Sequence, residues 1–278
     1  METNTNIVLP PAVSSMGPED RIGGTVITRD EGSVRWVSIN RPERHNAIDL
    51  PTAQEWAVAL AGAANDPSVR AVVLAGEGPS FSAGGDLKAF RAVEDRRGYL
   101  STVATAIGEG VMSIAFMEKP VVAAVHGNAM GVGFSMFLAA DYKLVAEGTR
   151  MAMSYVNVGL TPGGSGSWML SRMVGHSKAM EMLLLGDAIG AEEAEVLGIA
   201  NRVVSAPGLV ETARLVAERF AKGPPGAIGR TKALMWQGYG EPLYVHLARE
   251  ADEIGRAAAT PEFEEGSLAF FEHREARF

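Results

Sequence analysis

The chain has 278 residues, 47% of them hydrophobic, with a formal net charge of −8 and no cysteine. That length supports one large domain, or a domain with an appendage, and the acidic balance argues against a general nucleic-acid binder. Without cysteine there are no disulfides or thiolate metal sites, and with no basic leader and no apolar run of membrane-spanning length the expectation is a cytoplasmic protein with no membrane partner.

Residues 1–18 carry one charge and several Pro and Ser, and read as a flexible tail ahead of a core over 19–205. Gly24 to Thr28 and Val34 to Ile39 read as paired strands around Asp30-Glu31-Gly32. The second sets Val34, Trp36 and Ser38 on one face and Arg35, Val37 and Ile39 on the other. Asn40 to Asp49 is a polar loop. A helix from Pro51 to Ala64 follows, with proline where its missing N–H does no harm. Arg70 to Ala75 reads as a buried strand, and Gly76 to Leu87 as a glycine-rich loop leading into a helix. Arg91 to Tyr99 is highly charged and reads as a mobile connection before a helix over Ser101–Met117. Val121 to Val125 is a short β-branched run, hence a strand. It passes through Gly127 and Gly131 into a helix from Val132. Tyr142 to Ala146 is a further strand. Gly159 to Gly166 is another glycine-rich loop, opening a helix through Arg172. Helices over Ala179–Leu185 and Ala191–Leu197 precede a short strand, Asn201–Val204, and 206–278 reads as helical throughout. Alternating strands and helices indicate α/β architecture.

Two loops carry chemistry. Ser82-Ala-Gly-Gly-Asp86 and Gly127-Asn-Ala-Met-Gly-Val132 expose peptide N–H groups at turn-to-helix junctions. The first N–H groups of a helix have no partner inside it, and the helix dipole adds partial positive charge there. Such a place suits an oxygen gaining negative charge. Either loop alone is equally what a tight turn looks like. No Gly-Lys-Ser/Thr follows a glycine loop, no dinucleotide fingerprint sits at the first strand, and no His/Asp/Glu spacing indicates a metal site.

Taken together, six segments resemble the crotonase (enoyl-CoA hydratase/isomerase) superfamily. They are Asn40-Arg-Pro-Glu-Arg-His-Asn-Ala47, Gly78-Pro-Ser-Phe-Ser-Ala-Gly-Gly-Asp-Leu87, Lys119 to Gly131, Gly159-Leu-Thr-Pro162, Ala191-Glu-Glu-Ala194 with Gly198, and Glu265-Gly-Ser-Leu-Ala-Phe-Phe271. The resemblance runs from about Thr25 to Phe278. It implies a spiral of ββα units with a helical C-terminal trimerisation or lid region, assembled as a homotrimer or dimer of trimers. It implies an acyl-CoA thioester as substrate, with coenzyme A as part of that substrate and no separate cofactor. By motif match the amides of Gly85 and Val132 grip the thioester oxygen and stabilise an enolate. Coenzyme A is expected along Arg44, His45 and Ala47, along Ala83, Asp86 and Leu87, and beside Gly131.

The chain departs from the family where acids are usual. A typical hydratase places two glutamates at the substrate double bond, work suited to paired carboxylates. Here those positions hold Ser135 and Tyr155, and the aspartate that isomerase-like branches carry after Gly-Leu-x-Pro is Gly163. Ordinary two-glutamate hydration is therefore not expected. Isomerisation, decarboxylation, thioester hydrolysis and acyl-CoA binding without catalysis remain open. Tyr155 is read as a proton donor, as a group orienting a substrate carboxylate or hydroxyl, or as wall packing, and Ser135 as a water holder or a hydroxyl bonded back to its helix. Glu94 and Asp95 are read as solvated charges able to swing inward. His126 is read as a structural imidazole, and Asp141 as a core cap or ion-pair partner. Phe270 and Phe271 are read as a lid or as ordinary helix packing.

Overall fold

Strand alternation sets the layers of the computed structural model, which describes residues 24–278; the expected tail over 1–18 lies outside the described residues. Its strands are β1 (Val26–Glu31), β2 (Val34–Ile39), β3 (Ala71–Gly76), β4 (Val121–Val125), β5 (Asn128–Met130), β6 (Tyr142–Ala146), β7 (Arg150–Ala152), β8 (Ile189–Gly190) and β9 (Arg202–Val204). Six form one sheet in the order β1-β2-β3-β4-β6-β9, antiparallel at the first pair and parallel thereafter. The short strands β5, β7 and β8 form a second sheet. The chain leaves β4 for β5, and β6 for β7, before entering a helix, which is the ββα repeat of the crotonase-like spiral.

Both faces of the large sheet are covered. Val37, Ile39, Val72, Leu74, Val121, Ala123 and Val125 face the main core. It is roofed by α1 (Leu50–Asn65), then α2 (Leu87–Ala92), α3 (Arg96–Phe116), α4 (Val132–Leu138), α5 (Gly166–Val174), α6 (His176–Leu185) and α7 (Ala191–Val196). Val34, Trp36, Ala71, Val73, Val122, Ala124 and Leu144 face the other way, against Leu209, Ala213, Ala217 and Ala221 of α8 (Leu209–Ala221). This is the period-2 division expected for β2, carried across the sheet. The helical C-terminal region continues as α9 (Pro225–Gly238), α10 (Leu243–Ala258) and α11 (Pro261–Phe271).

Three expectations need correction. The β1–β2 turn falls at Gly32-Ser33 rather than Asp30–Gly32, because β1 runs on to Glu31. The charged stretch before Tyr99 is the first turn of α3, which starts at Arg96 because Asp95 caps it, accepting from the Gly98 N–H at 2.9 Å. Among the described residues α3 is also long and apolar enough to span a membrane, contrary to the expectation of no such run. Here Val103, Ile107, Val111 and Ile114 bury its apolar side in the core. Gly110 makes the α1 contact close: a Cβ there would stand 2.3 Å from the Trp56 ring.

Asp141, just before β6, is an ion-pair partner as anticipated, although it sits at the surface and it is Lys232 that is buried. Its Oδ2 accepts from the Val121 N–H at 2.8 Å and from Lys232 Nζ of α9 at 2.6 Å. Burial pushes the Lys232 ammonium below its ordinary value, and the Asp141 charge opposes that. Asp141→Asn keeps an acceptor for Val121 but leaves the Lys232 charge unpaired, so it is expected to cost about 3 kcal/mol. The check is a urea midpoint lowered at unchanged slope; an unmoved midpoint would show that the pair does not tie α9 to the sheet.

Candidate active site

The site is built where β4 ends. Gly127 takes φ 64, and a Cβ there would lie 2.1 Å from the Pro79 oxygen, so only glycine lets the chain turn into β5. Beside β5 lies the 82–86 loop. The Ser82 N–H donates to the Asn128 oxygen at 2.9 Å and the Met130 N–H to the Ser82 oxygen at 3.0 Å. On its other edge this loop is clasped by the 45–48 segment. The Ala83 N–H donates to the His45 oxygen at 2.8 Å, the Ile48 N–H to the Gly84 oxygen at 2.7 Å, and the Asp86 N–H to the Ile48 oxygen at 2.8 Å.

Within Gly84–Asp86 and Gly131–Val132 two amides differ from their neighbours. The Gly84 N–H bonds Ser82 Oγ at 3.2 Å, and the Gly131 N–H bonds the Ala152 oxygen at 2.8 Å. Among the described residues no acceptor meets the N–H of Gly85 or of Val132, while their chain neighbours Gly84, Asp86 and Gly131 are all satisfied. The two turns touch: a Cβ on Gly84 would stand 2.8 Å from the Met130 oxygen and 3.8 Å from the Gly131 nitrogen. Gly131, at φ 50 and ψ −118, uses backbone space closed to other residues and so delivers Val132 as the first residue of α4. Gly85 has no room for a side chain, since the Phe90 ring would lie 2.5 Å from its Cβ.

Gly85 and Val132 open onto one cavity of about 360 Å³. Its wall is mostly apolar, supplied by α2, α3 and the Val158–Gly164 loop. Tyr155 is the one titratable side chain in that lining; it holds no carboxylate, Lys, Arg or His.

Tyr155 and Ser135 form a hydroxyl pair. Their oxygens are 2.9 Å apart, and the Tyr155 O–H donates to the Gly163 oxygen at 3.1 Å. The Ser135 O–H is then free to donate to the Tyr155 oxygen, its contact to the Gly131 oxygen being longer at 3.4 Å. Ser135 is fully buried and does not line the cavity, so it meets a ligand only through Tyr155. A Cβ on Gly166 would stand 2.5 Å from Ser135 Oγ, so glycine at 166 leaves the room that the Ser135 hydroxyl occupies. Burial pushes the Tyr155 phenol above its ordinary value, so at neutral pH it is uncharged and carries its proton.

The remaining anticipated residues divide. Arg44 and His45 are exposed at the end of a short 3-10 turn, with Ala47 behind them, and Ala83 and Leu87 line the cavity. The Asp86 side chain is committed elsewhere: it caps α2 through the Ala89 N–H at 3.1 Å and pairs with Arg41 at 3.0 Å. Burial opposes its charge, but the Ala89 N–H and the Arg41 and Arg44 cations prevail and hold it below the usual carboxylate range. Asp95 is the α3 cap, and neither it nor Glu94 lines the cavity. His126 Nε2 lies 2.8 Å from the Gly78 oxygen, a structural role as expected. Phe270 and Phe271 pack edge to face at 5.7 Å, are exposed, and do not line this chain's cavity. Among the described residues no cluster of His, Asp or Glu could hold a metal ion.

Two residues that hold the site together went unread. Buried Asn46 donates to the oxygens of Glu77 (2.8 Å) and Ser80 (2.7 Å) and accepts from the Arg41 N–H (2.8 Å). Arg41 also pairs with Asp49 at 3.0 Å and donates to the Ala47 oxygen. The available signal was Asn46 in a His-Asn pair ahead of a helix, since asparagine tolerates the φ of 57 found there.

Comparison with known proteins identifies the family. The sequence profile of the enoyl-CoA hydratase/isomerase family matches residues 29–278. A short-chain-enoyl-CoA hydratase of Clostridium acetobutylicum is 32% identical over 90% of this chain and 95% of its own. A 1,2-epoxyphenylacetyl-CoA isomerase of Escherichia coli is 30% identical over 91% of this chain and 97% of its own. The crystal structure of an enoyl-CoA hydratase from Polaromonas superposes with a TM-score of 0.87 at 33% identity, covering 91% of this chain and 99% of that one. With its spiral of ββα units and its two glycine turns meeting over one cavity, this chain belongs to the enoyl-CoA hydratase/isomerase family of enzymes.

Proposed function

We propose that this enzyme acts on acyl-CoA thioesters by holding the thioester oxygen between the N–H groups of Gly85 and Val132, stabilising an enolate, with the Tyr155 phenol as proton donor. What supports this reading is that Gly85 and Val132, each with an N–H that meets no recorded acceptor, sit on touching turns and both line a single cavity. Donors fixed in advance in a dry site stabilise developing charge without reorganising. A neutral phenol with a raised pKa is a poor base at neutral pH and a serviceable acid. It therefore suits protonation of an enolate better than activation of water, and decarboxylation, which forms the enolate by releasing CO2 and needs no base, fits better than hydration or double-bond isomerisation, both of which need a base the lining does not supply. Coenzyme A would lie along Arg44, His45 and Ala47 and along Ala83, Asp86 and Leu87, past Gly131, with exposed Arg44 meeting a phosphate. A homotrimer or dimer of trimers would cover apolar side chains left exposed on the C-terminal helices, among them Leu243, Tyr244, Ile254 and Phe263.

The test is a panel of 2-enoyl, 3-enoyl, malonyl and saturated acyl-CoAs in D2O, followed by mass spectrometry. One deuterium at Cα of a product is expected, and Tyr155→Phe should slow its appearance by roughly 100- to 10,000-fold with little change in KM. Hydration of crotonyl-CoA at a kcat above about 1 per second would overturn the proposal. A second reading, acyl-CoA binding without catalysis, is favoured by the missing carboxylates; binding across the panel with no product would establish it.

A further inference from the structure

We infer that the acyl tail accepted by this cavity is neutral and apolar, and that acyl groups carrying a carboxylate at the far end of that tail, as glutaryl does, are rejected, whereas a carboxylate on Cα lies at the reacting centre and not against this wall. The inference rests on the acyl-CoA reading above and narrows its substrate class. The wall beyond the two amides is a stripe of one helix: Leu100, Val103, Ala104 and Ile107 of α3 recur at the spacing that puts side chains on one face. Phe90 of α2 and Leu160 of the facing loop complete it. Its polar groups are the hydroxyls of Ser101, Ser154, Thr161 and Tyr155, and the last is engaged with Gly163 and Ser135.

Among the described residues no cation lines the cavity to meet an anionic tail. Lys88, Arg91, Arg96 and Arg97, the cations of α2 and α3, are exposed and lie outside the lining. Arg41 is committed to Asp49 and Asp86, and Arg172 lies over the Trp168 ring at 3.8 Å. A carboxylate carried into this wall would lose its water and gain no charge partner, which is strongly unfavourable. A methyl-terminated tail gains by the same transfer, with each buried CH2 adding to affinity. Val132 sharpens the selection by size. Its Cγ2 lies 3.7 Å from where a Gly164 Cβ would stand, so its branched side chain narrows the cavity where the loop and α4 meet.

The experiment compares hexanoyl-CoA with glutaryl-CoA, tails of similar length that differ in the terminal carboxylate, against free coenzyme A by titration calorimetry at neutral pH. Hexanoyl-CoA is expected to bind at least about tenfold tighter than coenzyme A, and glutaryl-CoA no tighter than coenzyme A. Ala104→Arg, which sets a guanidinium in the stripe, should tighten glutaryl-CoA by about tenfold while weakening hexanoyl-CoA; Ser101→Lys is the second variant if the first does not fold. Glutaryl-CoA binding within about threefold of hexanoyl-CoA overturns the inference and leaves the acyl-CoA reading standing. Failure of all three ligands to bind overturns both.

Discussion

Replacing Val132 by proline is expected to leave the fold standing and to cut turnover of an acyl-CoA substrate roughly 100- to 1000-fold. Val132 is the first residue of α4, the helical position where proline is best tolerated. Its N–H has no acceptor among the described residues, so removing it breaks no recorded hydrogen bond. Gly131 before it is not in the right-handed helical region that a following proline disfavours. The substitution therefore separates the two jobs of this residue, keeping the helix and deleting the donor. Val132→Ala is the control: it keeps the N–H and widens the cavity, and its turnover should stay within a few fold while longer tails bind better. The measurement is kcat beside the melting temperature. Near wild-type turnover in a proline variant that melts normally would remove Val132 from the proposed oxygen-binding pair.

Gly163→Asp is expected to gain activity. Gly163 lines the cavity, its φ is not positive, and the nearest atom to a Cβ built there is the Ala104 Cβ at 3.9 Å. A side chain fits without strain. The new carboxylate would stand in an apolar wall with no cation beside it, and such burial raises a carboxyl pKa toward neutrality, where it serves best as a base. The Gly163 carbonyl that accepts the Tyr155 proton belongs to the backbone and is untouched. Transfer of a double bond from 3-enoyl- to 2-enoyl-CoA should rise by about 100-fold over the wild type, followed by absorbance of the conjugated thioester. Gly163→Asn, of the same shape without a titrating group, should show no rise. If both variants isomerise equally, or neither does, the cavity is not where the substrate's Cα and Cγ lie.

Ser135→Glu is not the equivalent experiment, and the reason is tertiary. Aligned to the family, positions 135 and 155 look interchangeable with acids. In the structure Ser135 is shut behind Tyr155 and pressed against Gly166. A glutamate there would need both neighbours to move, whereas Gly163 stands open. The departures from the family pattern are thus unequal: one is a vacancy at the cavity wall, and two are a packed hydroxyl pair.

Much of the architecture was legible because its signals are local. β2, β4 and β6 follow from short apolar runs, and the opposed faces of β2 follow from a period of two residues. The strands β5, β7 and β8 were not legible. They are two or three residues long, too short for any period, and exist because neighbours in the second sheet supply their hydrogen bonds. The start of α3 is hard to read for a related reason: a charged run looks like a connection, although Asp95 can cap a helix and Arg96 and Arg97 can begin one.

The sequence by itself determined the layered α/β architecture and the two glycine turns, since burial pattern and backbone freedom are written into neighbouring residues. Only the tertiary structure decided which two amides are left without partners. The acceptors that satisfy Ala83, Asp86, Ser82 and Gly131, on His45, Ile48, Asn128 and Ala152 in that order, arrive from other segments of the chain. It also decided that Asp86 spends its charge on Arg41 and a helix cap, and that Ser135 reaches the cavity only through Tyr155. A hydrogen bond is a property of two groups meeting at about 3 Å, and no pattern along one strand of sequence contains the second group.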